Sequence, residues 1–280
     1  MSIPEMVFAQ NINLNSGLVL YLPFNGNLLD SSGHDINGMS SGVSFVEDLL
    51  GNPGHACYFD GYDDFIDLGY SPLLKRYKSD FSLNVWLNLE DYSRSAGYII
   101  LSNRGNDTPF TGSAPSIEGY GNSTNTWGRP VLTVKGLGFS SWVFAEESLD
   151  LERWYMVTIT FNFNQGQYNV GQVYVNCKLS NINQQMDDII DPGATPTYIG
   201  YEPEITAPIE YHYKGRMDEL RLYDRVLNQE EVEALYFQMK PIDLGLGADL
   251  ISKCMDFPLT LSARMALIAI YGIMGVYTLL

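Results

Sequence analysis

Short runs of alternating apolar and polar residues fill the middle of the chain, and they constrain its fold more than any other feature. The runs are rich in Val, Ile, Tyr, Phe and Trp, and Gly, Asn, Asp and Pro separate them, which is typical of strands joined by turns. The runs are LVLYLPF (18–24), HACYFDG (55–61), DFIDLG (64–69), FSLNVWLNL (81–89), YIILSN (98–103), RPVLTV (129–134), GFSSWVFA (138–145), RWYMVTITFNF (153–163), GQVYVNCKL (171–179), PTYIGY (196–201) and GRMDELRLYD (215–224). Because no helical pattern interrupts them, they predict an all-β fold, an antiparallel sandwich of two sheets.

One helix is predicted after the last strand, over residues 228–239 (NQEEVEALYFQM). Asn228 is a good N-terminal cap, and the acidic pair that follows suits the positive end of the helix dipole. Val232, Leu235 and Tyr236 fall on one apolar face. This helix therefore closes the predicted sandwich.

The C-terminal segment differs from the rest of the chain because residues 265–280 carry no charged side chain. As a helix this run is about 24 Å long, shorter than a hydrocarbon core of about 30 Å, and extending it back to Phe257 includes Arg264. A membrane anchor, an arm buried by a hydrophobic partner and a last core segment are the alternatives, and we favour the first two, acting through residues 257–280. The predicted organisation is an N-terminal segment (1–16), a sandwich domain (17–239), and a linker with a hydrophobic tail (240–280).

The charge and the cysteines exclude several classes of function. The net charge of −17 argues against nucleic acid, whose phosphates need a basic surface, and it is compatible with divalent cations or neutral sugars. None of the three cysteines lies in a CxxC pair, so a zinc site or a redox motif is not predicted.

Several segments resemble, in order, the laminin-G-like, concanavalin-type jelly roll, a superfamily that includes pentraxins and carbohydrate-binding modules. They include LVLYLPFNGNLLDSSGHDINGMSS, YFDGYDDFIDLG, FSLNVWLNL and GRMDELRLYDRVLNQEEVEALY, and the resemblance covers residues 17–239. It implies a jelly roll of two curved sheets and a binding role instead of catalysis. Cys177 and the long stretch 104–130 depart from the family pattern.

The resemblance also implies calcium at one rim of the sandwich. The matching positions are Asn106 and Asp107 after one strand, and Glu202 and Glu204 after another. Their hard oxygens suit calcium. The alternative is that these are four solvated loop residues.

A second cation site is predicted between the first loop and the last strand, from Asp30 and Asp218. Similar modules tie these two segments together through calcium, whereas an Asx turn at Asp30 and a salt bridge at Asp218 are the alternatives. The aspartates of YFDGYDDFIDLG (58–69) belong to a hairpin in which Phe59 and Phe65 are expected in the core. We expect them to be solvated turn carboxylates, unless the hairpin neighbours that loop.

Candidate ligand-binding residues are aromatic and planar polar groups in loops. They are Tyr120, Asn125, Trp127, Arg129 and Tyr211. Such residues can stack on and hydrogen-bond to a sugar, although loop aromatics more often cover the core. Trp86, Trp142 and Trp154 fall in strands and are predicted to be core residues.

An enzymatic role is not predicted. In jelly-roll glycoside hydrolases two carboxylates flank the scissile bond, and the nearest stretch is EESLDLE (146–152). Glu147 precedes Asp150 by three residues and would face the opposite side of a strand. The stretch also resembles a loop, so we reject it as catalytic.

The sequence therefore predicts a non-catalytic module that binds glycan or a protein surface with calcium, located outside the cell or at the cell surface. The first alternative is a structural subunit of a virion or membrane complex, attached through the tail. A jelly-roll glycoside hydrolase is the second.

Overall fold

The computed structural model describes residues 12–91, 98–104, 113–117, 127–135, 140–164, 167–202 and 211–239. Within them the strands are β1 (Leu18–Leu22), β2 (Met39–Ser41), β3 (Ser44–Val46), β4 (Ala56–Asp60), β5 (Phe65–Asp67), β6 (Phe81–Leu89), β7 (Tyr98–Ile99), β8 (Leu101–Ser102), β9 (Ser113–Ile117), β10 (Pro130–Lys135), β11 (Ser140–Phe144), β12 (Trp154–Asn162), β13 (Asn169–Val175), β14 (Lys178–Met186), β15 (Tyr198–Ile199), β16 (Tyr201–Glu202), β17 (Tyr211–His212) and β18 (Lys214–Tyr223). A short 3-10 helix spans Pro72–Leu74, and one α-helix, α1, spans Gln229–Met239. The prediction of a mostly β chain with one C-terminal helix is confirmed.

The strands form an antiparallel sandwich. The larger sheet has the order β14-β13-β12-β6-β18-β4-β3, and β1 pairs with β18 beside this path. The facing layer consists of two four-stranded sheets, β11-β10-β9-β7 and β2-β5-β15-β8, while β16 and β17 form a separate pair. The chain passes from one small sheet to the other at Ile100, between β7 and β8.

The core lies between the two layers. Leu83 and Val85 of β6 belong to the same hydrophobic cluster as Val134 of β10 and Ile199 of β15, and all four are buried almost completely. Alternation along each strand sends these side chains inward. The two-sheet sandwich predicted from the sequence is therefore confirmed.

Helix α1 covers the other face of the large sheet. Asn228 Oδ1 accepts a hydrogen bond from the Glu231 amide at 3.0 Å, and Glu231 Oε2 accepts one from the Asn228 amide at 2.9 Å, which is a capping box. Val232 packs beside Trp86, and the Tyr236 ring stacks on Trp86 with centroids 5.5 Å apart. The predicted cap and apolar face of the helix are confirmed.

Two aromatic side chains lie elsewhere than predicted. Phe65 is half-buried, because Ile66 is the residue of β5 that points into the core. Trp142 is 46% exposed. Val143 faces the core on the edge strand β11, so alternation turns Trp142 to solvent. The core predictions for Phe65 and Trp142 were wrong, whereas that for Trp86 is confirmed and Trp154 is half-buried.

Residues 1–11 and the apolar tail within 240–280 lie outside the described residues. Among the helices of the described part, none is long and apolar enough to cross a membrane. The three-part organisation of the chain therefore stays a prediction.

A glycine at the bend between β15 and β16 provides a test of the packing. Gly200 has a φ of +80°, and a Cβ atom there would lie 2.6 Å from Cε1 of the Phe59 ring. We expect Gly200→Ala to lower the free energy of unfolding by about 2–4 kcal/mol, from backbone strain plus overpacking. The measurement is urea unfolding.

Gly193→Ala is the matched control for this substitution. Gly193 has a φ of +70°, and a Cβ atom there would have no neighbouring atom within 4 Å, so only backbone strain of about 1 kcal/mol is expected. Equal losses in the two variants would contradict the proposed clash with Phe59.

Candidate functional site

Three aspartates come together at the turn between β4 and β5. One carboxylate oxygen from each of Asp60, Asp63 and Asp64 lies within 4.8 Å of the others. Asp60 Oδ1 accepts hydrogen bonds from the amides of Tyr62 (2.7 Å) and Asp63 (3.4 Å), and Asp64 Oδ2 accepts one from the Asp60 amide (2.8 Å). These turn hydrogen bonds offset part of the repulsion between the carboxylates. We call Asp60, Asp63 and Asp64 the acidic triad.

Asp64 is buried close to Gly42, where the lack of a side chain leaves room for its carboxylate. Gly42 has a φ of +78°, and a Cβ atom there would lie only 1.8 Å from Asp64 Oδ1. Burial raises the pKa of Asp64, and the negative charges of Asp60 and Asp63 raise it further, while His212 acts in the opposite direction. The triad therefore contains one buried carboxylate under repulsion from two more accessible ones.

The donor set of the triad fits a hard divalent cation. Its members offer carboxylate oxygens, which calcium prefers, and Asp63 is exposed while Asp60 is half-buried, so water can complete the coordination. A cation would also relieve the repulsion that raises the pKa of Asp64. The acidic triad could therefore hold a metal ion.

A cluster of aromatic rings adjoins the triad. The His212 ring stacks on Tyr201 with centroids 4.7 Å apart, and Phe65 lies 5.1 Å from Tyr201 and 5.8 Å from Tyr198. His212 Nδ1 lies 3.5 Å from the backbone oxygen of Asp64. We call the acidic triad together with Phe65, Tyr198, Tyr201 and His212 the hairpin site.

Glu202, a predicted calcium ligand, follows Tyr201 on β16 and is 4% exposed. Its Oε1 atom lies 2.5 Å from an Arg104 guanidinium nitrogen, and its Oε2 atom accepts a hydrogen bond from Ser102 at 3.1 Å. The arginine therefore balances the negative charge of Glu202. Asn106, Asp107 and Glu204, its predicted partners, lie outside the described residues, so the rim calcium site stays a prediction.

The predicted ligand-binding residues are only partly described. Tyr120 and Asn125 lie outside the described residues. Trp127 and Arg129 are half-buried just before β10, and Tyr211 is half-buried on β17, paired with Glu202. Their sugar-binding role also stays a prediction.

Asp30 of the predicted second cation site is engaged in local hydrogen bonds. Its carboxylate accepts from the amides of Tyr21 (3.0 Å), Ser32 (2.8 Å) and Ile36 (3.1 Å), and from the Ser32 hydroxyl (2.8 Å). Burial alone would raise its pKa, but these hydrogen bonds hold the pKa of Asp30 below its ordinary value. This arrangement favours the Asx-turn alternative for Asp30.

Asp218 is 1% exposed, and its Oδ1 atom has no hydrogen-bond partner in the described part of the chain. Burial, followed by the negative charges of Glu219 and Asp48, raises the pKa of Asp218 to about 8. A carboxylate oxygen without a partner is compatible with a metal ligand. However, the carboxylate from the first part of the chain whose charge raises the pKa of Asp218 is that of Asp48, and not that of the predicted partner Asp30. The pairing of Asp30 with Asp218 stays a prediction.

The stretch EESLDLE, rejected above as catalytic, is a loop, as predicted. Residues 145–152 contain no strand. Glu147 accepts a hydrogen bond from the Ser180 hydroxyl, and Asp150 accepts one from the Tyr155 hydroxyl at 2.8 Å. The two carboxylates are thus engaged with different neighbours and do not alternate along one strand.

The two-layer antiparallel sandwich with one C-terminal helix defines the class of the protein as a jelly roll. A laminin G family model, described as the concanavalin A-like lectin/glucanases superfamily, matches residues 60–233, more than half of the chain. The chain belongs to this superfamily, which confirms the resemblance found in the sequence. No curated protein matches the chain.

Solved structures share the fold at low sequence identity. The binding domain of Paraclostridial Mosquitocidal Protein 1 is 18% identical with a TM-score of 0.62, and the match covers 81% of this chain and 53% of that one. Domain 4 of AbnA, a GH43 extracellular arabinanase from Geobacillus stearothermophilus in complex with arabinotriose, is 17% identical with a TM-score of 0.57, covering 79% and 98%.

A third structure concerns botulinum neurotoxin type C, whose cell entry depends on interaction with two ganglioside molecules. It is 15% identical with a TM-score of 0.56, and the match covers 81% of this chain and 52% of that one. The chain thus spans about half the length of the toxin structures that it matches. At these identities the likeness shows the shared fold.

If the acidic triad binds calcium, the free energy of unfolding should increase with calcium concentration. Calcium at about 100 times its dissociation constant should add about 2.7 kcal/mol to the free energy of unfolding, and Asp60→Asn with Asp63→Asn should abolish this gain. Asparagine keeps an oxygen that can accept the turn hydrogen bonds of Asp60. Thermal melts with calcium and with EDTA give the measurement.

Asp67→Asn is the control, because Asp67 lies on the same hairpin outside the triad and its Oδ1 accepts from the Gly69 amide. It should keep the full calcium response. A calcium gain that survives in the double variant would rule out the triad as the metal site.

The raised pKa of Asp218 predicts that the free energy of unfolding in EDTA depends on pH. Its pKa is about 8 in the folded chain and ordinary in the unfolded chain, so the unfolded chain alone releases the proton as the pH rises from about 4 to 8. The contribution of Asp218 to stability is therefore largest below this window and falls within it by up to about 1.4 kcal/mol per pH unit. Asp218→Asn should remove this fall, making the variant more stable than the wild type at pH 8 by urea unfolding.

Asp224→Asn, an exposed substitution just after β18, should leave the pH dependence unchanged. Parallel stability profiles for the wild type and Asp218→Asn would contradict the assignment. If Asp218 is instead a calcium ligand, calcium at pH 8 should stabilise the wild type and not the variant.

Proposed function

We propose that the protein is a non-catalytic carbohydrate-binding module that binds glycans at the hairpin site with the assistance of calcium. The observation that carries this proposal is the adjacency of the acidic triad and the aromatic cluster, joined where His212 contacts Asp64. Sugars present an apolar ring face and a set of hydroxyl oxygens, and these need different partners. Aromatic rings suit the first, and a hard cation suits the second.

The roles within the site follow from exposure and position. Asp60, Asp63 and Asp64 would hold the ion, leaving coordination positions for water or sugar hydroxyls. Tyr201 packs against Phe65 and His212, and these three rings would form an apolar surface beside the ion. Tyr62, at the tip of the hairpin, is 67% exposed, and we infer that a bound glycan would extend over it.

Two related structures support a glycan as the ligand. The arabinanase domain was solved with arabinotriose, and botulinum neurotoxin type C enters cells through ganglioside molecules. The negative net charge of −17 also favours a neutral or cation-bridged ligand over a polyanion.

An extracellular or cell-surface location is part of the proposal. A site with three carboxylates, open to solvent at Asp63, is expected to bind calcium weakly, in the range of about 10⁻⁴–10⁻³ M that extracellular modules use. Calcium at such concentrations would keep the site loaded outside a cell. The arabinanase from which the related domain comes is itself extracellular.

The proposal predicts calcium-dependent glycan binding that is sensitive to Tyr62. The full chain is titrated calorimetrically with arabinotriose and with the oligosaccharide of a ganglioside, in calcium and in EDTA. Binding at the hairpin site should be lost in EDTA, and Tyr62→Ala should weaken it about tenfold in calcium, because a contacting aromatic residue is removed.

Tyr168→Ala is the matched control, since Tyr168 is 64% exposed and belongs to a different hairpin, between β12 and β13. Its binding should equal that of the wild type. The proposal fails if no glycan shows a calcium-dependent component of binding, or if the two tyrosine variants bind alike.

A further inference from the structure

An open groove of about 520 Å³ lies between the edge strands β11 and β14, where the two layers meet. The described residues that line it carry no charge; they are Trp142, Val143, Phe144, Asn181, Ile182, Asn183, Gln184 and Gln185. The volume falls within the range of about 300–1,000 Å³ typical of small-ligand sites. Strand periodicity does not reveal this groove, because it predicts Trp142 in the core.

Two asparagines of β14 hold the groove together. Asn181 Nδ2 donates to the Phe144 carbonyl and Asn183 Nδ2 donates to the Trp142 carbonyl, both at 2.8 Å. Their Oδ1 atoms accept from the amides of Ile182 and Gln185, also at 2.8 Å. The asparagine side chains thus occupy backbone groups along both edges, which a strand-forming peptide would need. A ligand in this groove must be recognised by side chains.

The exposed side chains of the groove combine apolar surface with neutral amides. Trp142 is 46% exposed and Ile182 is 40% exposed. Gln184 and Gln185 are exposed, and their side-chain amides make no hydrogen bond within the described residues. An aromatic face beside free amide donors and acceptors suits a sugar ring and its hydroxyls.

We propose that this groove is a second glycan-binding site, independent of calcium and specific for neutral oligosaccharides. The proposal rests on the proposed function only in taking the ligand to be a glycan. Independence from calcium follows because none of the described residues that line the groove carries a carboxylate. Preference for neutral sugars follows because the described lining residues include no cation to pair with a sialic acid or uronic acid, and the net charge of −17 repels anions.

The test uses the full chain in EDTA, where binding at the hairpin site is removed. Arabinotriose, xylotriose, maltotriose and cellotriose are the neutral probes, and sialyllactose is the anionic probe. Calorimetry gives the affinity, and tryptophan fluorescence reports on Trp142. At least one neutral probe should bind and sialyllactose should not, and Trp142→Ala should weaken binding by about tenfold or more.

Three further variants sharpen the test. Gln184→Ala with Gln185→Ala should weaken binding while leaving the tryptophan contact in place, and Trp142→Phe should retain part of the affinity. Tyr70→Ala removes an aromatic side chain that is 49% exposed outside the groove and should bind as the wild type does. Thermal melts verify that each variant is folded, which is expected because these side chains lie outside the core.

The outcomes separate this proposal from the previous one. Calcium-dependent binding that EDTA abolishes completely overturns the groove and leaves the hairpin site standing. Binding in EDTA that depends on Trp142, without any calcium-dependent component, supports the groove and overturns the hairpin site. The groove proposal is overturned if the wild type and Trp142→Ala bind sugar equally well in EDTA. It is also overturned if no sugar binds and the chain instead self-associates with increasing concentration in a way that Trp142→Ala abolishes.

Discussion

The pairing of β18 with three other strands is the interaction on which the rest of the sandwich depends. Its first half, Lys214–Met217, pairs with β4, its second half, Leu220–Tyr223, pairs with β1, and both halves pair with β6. The change of partner coincides with a bulge between Asp218 and Arg221, where Glu219 has a φ of 55°. A bulge adds a residue to one strand and redirects its side chains.

The bulge also joins the first strand to the last, because Glu219 accepts a hydrogen bond from the Tyr21 hydroxyl at 2.9 Å and lies 2.5 Å from an Arg221 guanidinium nitrogen. Asp218 is buried beside this network, and one of its carboxylate oxygens has no hydrogen-bond partner in the described part of the chain. Burying a carboxylate without full pairing costs free energy, and the raised pKa of Asp218 reflects this cost.

Sequence periodicity was sufficient for the fold because one face of each strand must be buried. Alternation over β6 and β12, and the cap at Asn228, report local requirements that each segment satisfies by itself. The errors occurred where a local pattern does not reveal which face is covered. Trp142 alternates in the same way as a core residue, and only the position of β11 at an edge of its sheet leaves it exposed. Phe65 could be exchanged with Ile66 by a shift of one residue, which reverses the faces of a strand.

The candidate site was less predictable because it depends on contacts between distant segments. The spacing of Asp60, Asp63 and Asp64 was visible, but their convergence depends on turn hydrogen bonds and on the absence of a side chain at Gly42, on another connection. His212 lies near Asp64 because β17 pairs with β16 and because the pairing of β18 with β4 places Lys214 opposite Asp60. The sequence did contain one indication of this site, the density of aspartates in one short hairpin. Solvation alone would leave these carboxylates repelling one another.

In the proposed hairpin site, metal and sugar would be coupled through one short piece of backbone. Asp64 is a member of the triad, and the next residue, Phe65, packs against Tyr198 and Tyr201. A cation that fixes Asp64 would therefore restrict the motion of the ring cluster. Sugar binding would then cost less conformational entropy, because the rings would already be ordered. By reciprocity, a bound glycan would raise the affinity for the cation by the same factor. The described residues that line the groove at β11 and β14 include no carboxylate, so the two proposed surfaces would respond separately to calcium.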